Sequence, residues 1–248
     1  MPKKLWILFT LLICYDYIKA QQEIIGIDLL EKKRYVEIPF QYINGHIVLD
    51  VMFHDIFPVK FIFDTGAQNT VLFEKSYVDV FGLKSDRFIP LRGADLTSTI
   101  QASIVRNVRM KLDGIKKVDR DILVLPTNFL KLEEMIGINV IGIIGAEFFR
   151  NLIIKIDYER QKLTLFEPNL FNEKNLKNFY QLPADFEDNK FYIKSAIRVN
   201  NLSKVKDVRL LMDTGASLSF LLNTNSDTTL SVPQKILPSI LGQGLGGP

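Results

Sequence analysis

Between residues 35 and 167 the apolar positions come in short runs broken by turn residues, the pattern of a β-rich chain with a few short helices. Tyr35–Phe40 and Ile47–Phe53 read as strands, joined through Asn44-Gly45, a dipeptide suited to a tight hairpin turn. Val59–Phe63 is apolar apart from Lys60, which predicts a strand buried on both faces near its end. Thr70–Phe73 is a short apolar return. Lys75–Phe81 predicts a turn or two of helix, stopped at Gly82. Residues 84–99 are polar and read as a loop or hairpin tip. Ile100–Leu112 and Asp121–Leu125 follow as strands, with Asp113-Gly114 as a turn between them. Pro126-Thr127 predicts a helical stretch to Met135, with Thr127 as N-cap and Gly137 as stop. Ile141–Gly145 reads as a buried strand, Ala146–Arg150 as a short helix, and Leu152–Asp157 with Lys162–Phe166 as a closing hairpin.

Residues 168–184 break this pattern with Pro168, Pro183 and several Asn and Lys, and read as a connection. The pattern then restarts with a strand at Phe191–Val199, a turn at Asn200-Asn201 and a strand at Val208–Met212. The predicted organisation is a leader at 1–20, a first lobe at 21–167, a connection at 168–184 and a partial second lobe at 185–248. The fold class expected is all-β with short helices: a closed barrel lobe followed by part of another.

Each half ends its apolar strand in the same words. Asp64-Thr65-Gly66-Ala67 follows Val59–Phe63, and Asp213-Thr214-Gly215-Ala216 follows Val208–Met212. By composition, two copies of one tripeptide arise by accident on the order of once in a thousand such chains. The two copies therefore read as halves of one site.

The doubled motif resembles the aspartic proteases, and specifically the retropepsin-like branch found among secreted bacterial proteins. Two further segments carry the resemblance: Ile143-Ile144-Gly145 with Ala146–Phe149, and Ile156–Arg160 leading into Leu163-Thr164-Leu165. The resemblance covers most of 35–167 and part of 190–222. It implies an acid-protease-like fold, peptide-bond hydrolysis by water, and a catalytic pair made of Asp64 and Asp213. It also implies that Thr65 and Thr214 brace the two loops, that Gly66 and Gly215 allow their tight turns, and that Ile144 and Gly145 pass behind the Asp64 loop. A flap hairpin is expected around Gly93, by position alone. Pepsin-like enzymes place Ser or Thr after the Asp-Thr-Gly. Here both positions are Ala, so each carboxyl lacks one donor and should titrate higher.

Composition narrows the remaining options. With 47% hydrophobic and 24% charged residues, the 248-residue chain is globular in character. Most of its net charge of +3 sits in the first twenty residues. No clustered basic face points to nucleic acid. Lys3-Lys4, the apolar run Leu5–Cys14 and Ala20 predict a cleaved secretory signal and a secreted or periplasmic protein, with a membrane anchor as the alternative. Cys14 is the only cysteine, so cysteine chemistry is not expected in the mature chain. His46 and His54 lack metal-ligand spacing, and Ser217 and Ser219 have no histidine base marked for them. No metal or cofactor is expected; the partner is a peptide or protein. The stretch after Asp213 reaches Pro248 in mid-pattern, with Ile240-Leu241-Gly242 only a superficial echo of Ile143-Ile144-Gly145, so a second lobe continuing beyond it is expected. Two alternatives stay open: a non-catalytic binding module of the same fold, and a homodimer of first lobes using two Asp64.

Overall fold

Period-two alternation along the chain becomes sheet almost throughout the computed structural model, which describes residues 33–92, 99–128, 132–198, 205–222 and a few positions between 230 and 237. The predicted leader with Cys14, the flap residue Gly93, the turn at Asn200-Asn201 and the tail from 238 lie outside the described residues. In chain order the first elements are β1 (Tyr35–Pro39), β2 (Gln41–Ile43), β3 (His46–Phe53), β4 (Phe57–Asp64), β5 (Val71–Leu72) and α1 (Ser76–Asp79). Then come β6 (Ser85–Arg92), β7 (Thr99–Lys111), β8 (Val118–Val124), α2 (Leu132–Ile136) and β9 (Gly142–Gly145). A 3-10 turn at Ala146–Phe149 leads to β10 (Ile153–Asp157) and β11 (Lys162–Phe166). Beyond two more 3-10 turns lie β12 (Ala184–Glu187), β13 (Lys190–Ile197) and β14 (Lys206–Leu211).

The main sheet runs β2-β3-β4-β9-β5-β8-β7-β6, and a further β3–β7 pairing closes it on itself. This is a closed barrel lobe of the acid-protease kind, all-β with few short helices. β4 explains why its sequence is apolar on both faces. Phe61 and Phe63 enter one apolar cluster with Phe53, Phe148 and Phe149, while Ile62 between them enters another with Val71, Phe73 and Leu123. β3 divides in the same way, Leu49 and Val51 to the first cluster and Val48 to the second. β10 and β11 form the expected hairpin, and β1 joins it alongside β11.

Several expectations need correction. The polar stretch 84–99 contains β6, a strand at the sheet edge paired with β7. An edge strand keeps one side in water and so carries polar residues, which hides it from a hydrophobicity reading. The helix expected from Thr127 starts at Leu132, with an irregular bend at 126–128, so Thr127 does not cap it. The Asn44-Gly45 turn is present, with φ of 48° and 87°, but it joins β3 to the short β2 and not to β1. The chain breaks at Phe40, whose N–H donates to Gln161 at 2.9 Å, and this frees β1 to pair with β11. β12 starts at Ala184, the last residue of the expected connection, and pairs with β13 through a turn at Asp188 and Asn189, both at positive φ. Finally, β14 is not buried as β4 is. Its only described partner is β13, and Leu211 is 37% exposed.

Phe63 is fully buried and meets Phe149 edge-to-face at 5.0 Å. Phe63→Ala should cost about 3–5 kcal/mol in urea unfolding. Phe88→Ala on β6, where the ring is 69% exposed, should stay within about 0.5 kcal/mol.

Candidate active site

β4 runs out of the core and delivers Asp64 at its last position. The chain then turns, so that the N–H groups of Gly66 and Ala67 both donate to Asp64 Oδ1, at 2.7 and 3.1 Å. The second copy repeats this geometry. Gly215 and Ala216 donate to Asp213 Oδ1 at 2.8 and 3.1 Å. Equal sequence produces equal local structure, because the donors sit two and three residues after the acid in each case.

The loops face each other and exchange bonds through their threonines. Thr65 N–H donates to Thr214 Oγ1 and Thr214 N–H to Thr65 Oγ1, both at 3.0 Å. The two hydroxyls donate onward to the carbonyl of the residue before the opposite Asp: Thr65 Oγ1 to Met212 at 2.7 Å, and Thr214 Oγ1 to Phe63 at 2.9 Å. Thr65 is buried although polar, and these bonds satisfy it.

The glycines permit the close approach. A Cβ on Gly66 would stand 2.5–2.7 Å from the carboxyl atoms of Asp213, and a Cβ on Gly215 would collide with the Asp64 carboxyl. Any larger residue at either position would push the carboxyls apart. Behind Asp64, β9 pairs in parallel with β4 in the register Phe63↔Ile144 and Asp64↔Gly145. Ile144 is fully buried in the core. Gly145 packs so tightly that a Cβ would lie 2.8 Å from the Ala67 carbonyl oxygen.

Burial pushes the Asp64 carboxyl up to about 7, and the Asp213 carboxyl, within hydrogen-bonding reach, pushes in the same direction. The N–H donors of Gly66 and Ala67 pull it back only in part. The two acids are not equally covered. Asp64 is half-buried, while Asp213 is exposed.

The structure thus brings Asp64, Thr65, Gly66, Asp213, Thr214 and Gly215 together, with Ile144 and Gly145 behind them. The arms of the expected flap, β6 and β7, form an antiparallel hairpin. His54 lies elsewhere, stacked on Phe81 and accepting the Arg109 N–H. Residue type alone assigns no role to Glu147 or Thr70 and makes Arg120 part of a solvated turn with Lys116 and Lys117. In the structure Thr70 donates to Glu147 behind the Asp64 loop, and Arg120 is held beside them on Phe148. A lone acid inside the apolar run Ala146–Phe149 was the available signal.

A closed β lobe holds one Asp-Thr-Gly loop against another, within an all-β fold of the acid-protease-like kind. Residues 49–148 match the model of the aspartyl protease family. Among solved structures the chain is similar to a retropepsin-like aspartic protease from Rickettsia conorii, at 15% identity, over 56% of this chain and 92% of that one, with a TM-score of 0.36. No curated protein matches the chain significantly.

The raised Asp64 has a consequence for stability. Its folded value lies above the ordinary carboxyl value of 3.8, so the native state binds the proton more tightly than the unfolded chain does. The stabilising proton is present below about pH 4 and is lost as pH rises toward 7. Asp64→Asn should therefore unfold at higher urea than the parent at pH 8, by on the order of 2 kcal/mol, with the advantage shrinking toward pH 4. Urea titrations at both pH values check this.

Proposed function

We propose that the protein is an aspartic endopeptidase, in which Asp64 and Asp213 act as one dyad on a peptide or protein substrate. The observation that carries this reading is the reciprocal seating of the two loops, which puts two carboxyls against each other with backbone donors behind each. Two such carboxyls share one proton, because a second negative charge at that distance is strongly opposed. Aspartic-protease dyads in general work in this state.

The difference in burial assigns the roles. Asp64, the more covered acid, is the group that keeps its proton. Asp213 takes a proton from a water held between the two groups as that water attacks the scissile carbonyl. Asp64 donates a hydrogen bond to the carbonyl oxygen and stabilises the tetrahedral intermediate as negative charge develops there. Collapse of the intermediate returns a proton to the leaving amine. The β6–β7 hairpin is the flap in this reading, with its tip near Gly93, and covers the bound peptide.

The intrachain hydrogen bonds between Thr65 and Thr214 favour a dyad within one chain over a pair of Asp64 residues from two copies. Both carboxyls and all their donors are intact, which favours catalysis over mere binding. Residues 21–167 serve as the first lobe and 185–248 as part of the second, joined by 168–184. The basic start and apolar run of residues 1–20 support export and removal of a leader, and N-terminal sequencing of the mature protein tests that point.

Asp64→Asn and Asp213→Asn should each lower kcat for peptide cleavage by at least ~10³-fold. Activity in the parent should fall on the alkaline side as the last dyad proton leaves near pH 7. Turnover undiminished in Asp64→Asn, or a profile peaking below about pH 4 where an ordinary carboxyl titrates, would sink this reading.

A further inference from the structure

Among the buried ionisable groups, Glu147 and Arg120 take no part in the mechanism above. Burying a carboxylate is costly unless its oxygens are well occupied. At Glu147 the occupant is Thr70. The Thr70 N–H donates to Glu147 Oε1 at 2.5 Å, and the Thr70 hydroxyl donates to the same oxygen at 2.6 Å. An apolar side chain of equal size would fill the space but leave both donors unpaired.

Three other contacts show what this pairing holds. Ala146 N–H donates to the Ala67 carbonyl at 3.2 Å, and Leu123 N–H donates to the Thr70 carbonyl at 3.0 Å. The segment from Ala67 to Thr70 is thus pinned at both ends, and Ala67 is itself a donor to Asp64. Gly145 makes room for the clamp, because a Cβ there would strike Glu147 Oε2 as well as the loop backbone. Glu147 Oε2 has no hydrogen-bond partner among the described residues. Arg120 on β8 is the charged group facing this carboxylate. Its guanidinium lies 4.4 Å over the Phe148 ring and donates to the Phe148 carbonyl at 3.0 Å. Burial raises Glu147, while Thr70 and the Arg120 charge favour its ionised form.

The internal repeat adds an independent observation. Thr70 stands six residues after Asp64, and Ser219 stands six after Asp213. Both copies carry a hydroxyl at this position, directly before an apolar pair. In the first copy the apolar pair is buried, and there a hydroxyl is a poor choice for packing and a good one for donating to an acid behind the loop.

We propose that Glu147 is the positioning residue of the Asp64 loop: by accepting both Thr70 donors it fixes the Ala67–Thr70 segment and so aims the Gly66 and Ala67 N–H groups at the Asp64 carboxyl. This rests on reading Asp64 and Asp213 as the dyad. If the clamp is lost, the two donors lose their aim, Asp64 loses stabilisation of its ionised form, and the dyad titrates higher. A group that merely filled the core would alter stability without moving that titration.

The test is a carboxyl ¹³C NMR titration of the full chain with labelled Asp, comparing the parent with Glu147→Ala, Glu147→Gln and Thr70→Val. Loss of well-aimed donors shifts a carboxyl by about 0.5–1 pH unit. That upward shift of the higher dyad midpoint is expected in Glu147→Ala. A smaller shift is expected in Glu147→Gln, whose amide oxygen still accepts from Thr70. Thr70→Val should move in the same direction while leaving Glu147 and Arg120 together. It carries the test alone if Glu147→Ala does not fold. Unchanged midpoints in folded Glu147→Ala, or in Thr70→Val where only that variant folds, overturn the proposal. Peptide cleavage by the parent is scored separately. Shifted midpoints without any cleavage would support the clamp and overturn the protease reading.

Discussion

The exchange of bonds between Thr65 and Thr214 is the constraint on which the rest of the site depends. Each threonine N–H donates to the other's hydroxyl oxygen, and each hydroxyl donates to the carbonyl of the residue before the opposite Asp. No member of this set can be satisfied by its own loop. The two Asp-Thr-Gly turns are far apart in sequence, and closing so long a connection costs conformational entropy. The reciprocal bonds offset part of that cost, at about 1 kcal/mol each. They also set the register: a slip of either loop would leave buried donors unpaired. The carboxyls meet because the threonines behind them have already met.

Proximity then becomes chemistry through the glycines. Gly66 lies against Asp213, and Gly215 lies against Asp64. The absence of a Cβ at each glycine is what leaves room for the opposite carboxyl. Burial and the neighbouring acid raise Asp64, while the backbone donors limit the rise. The alanines that follow each Asp-Thr-Gly add backbone donors but no hydroxyl.

Much of this was legible because the features are local or repeated. The continuous apolar run before Asp64 announced a strand buried on both faces, and the structure divides its side chains between two clusters. The doubled Asp-Thr-Gly announced a paired site before any distance was known. What escaped reading depends on neighbours that are remote in sequence. β6 is polar because it lies at an edge, and no local pattern says which strand will be at the edge. Thr127 looked like a cap because residue type favours it, but the helix begins at Leu132. β1 joined β11 in place of its hairpin neighbour, a choice made by tertiary pairing. Glu147 sat in plain view, yet its meaning needed Thr70, which lies 77 residues earlier in the chain.

The two halves share a motif but not an environment. β4 lies between β3 and β9, so Asp64 emerges from a strand paired on both sides and backed by Gly145. β14 has β13 alone among the described residues, and Asp213 emerges exposed. A symmetric pair of loops in symmetric surroundings would hold its proton equally on either acid. Here desolvation falls mainly on Asp64, and desolvation disfavours the charged form. Asp64 therefore favours its protonated form, although the immediate donors of the two acids are nearly identical in length and arrangement. The asymmetry of the dyad arises from the strands behind the loops, while the loops themselves supply its symmetry.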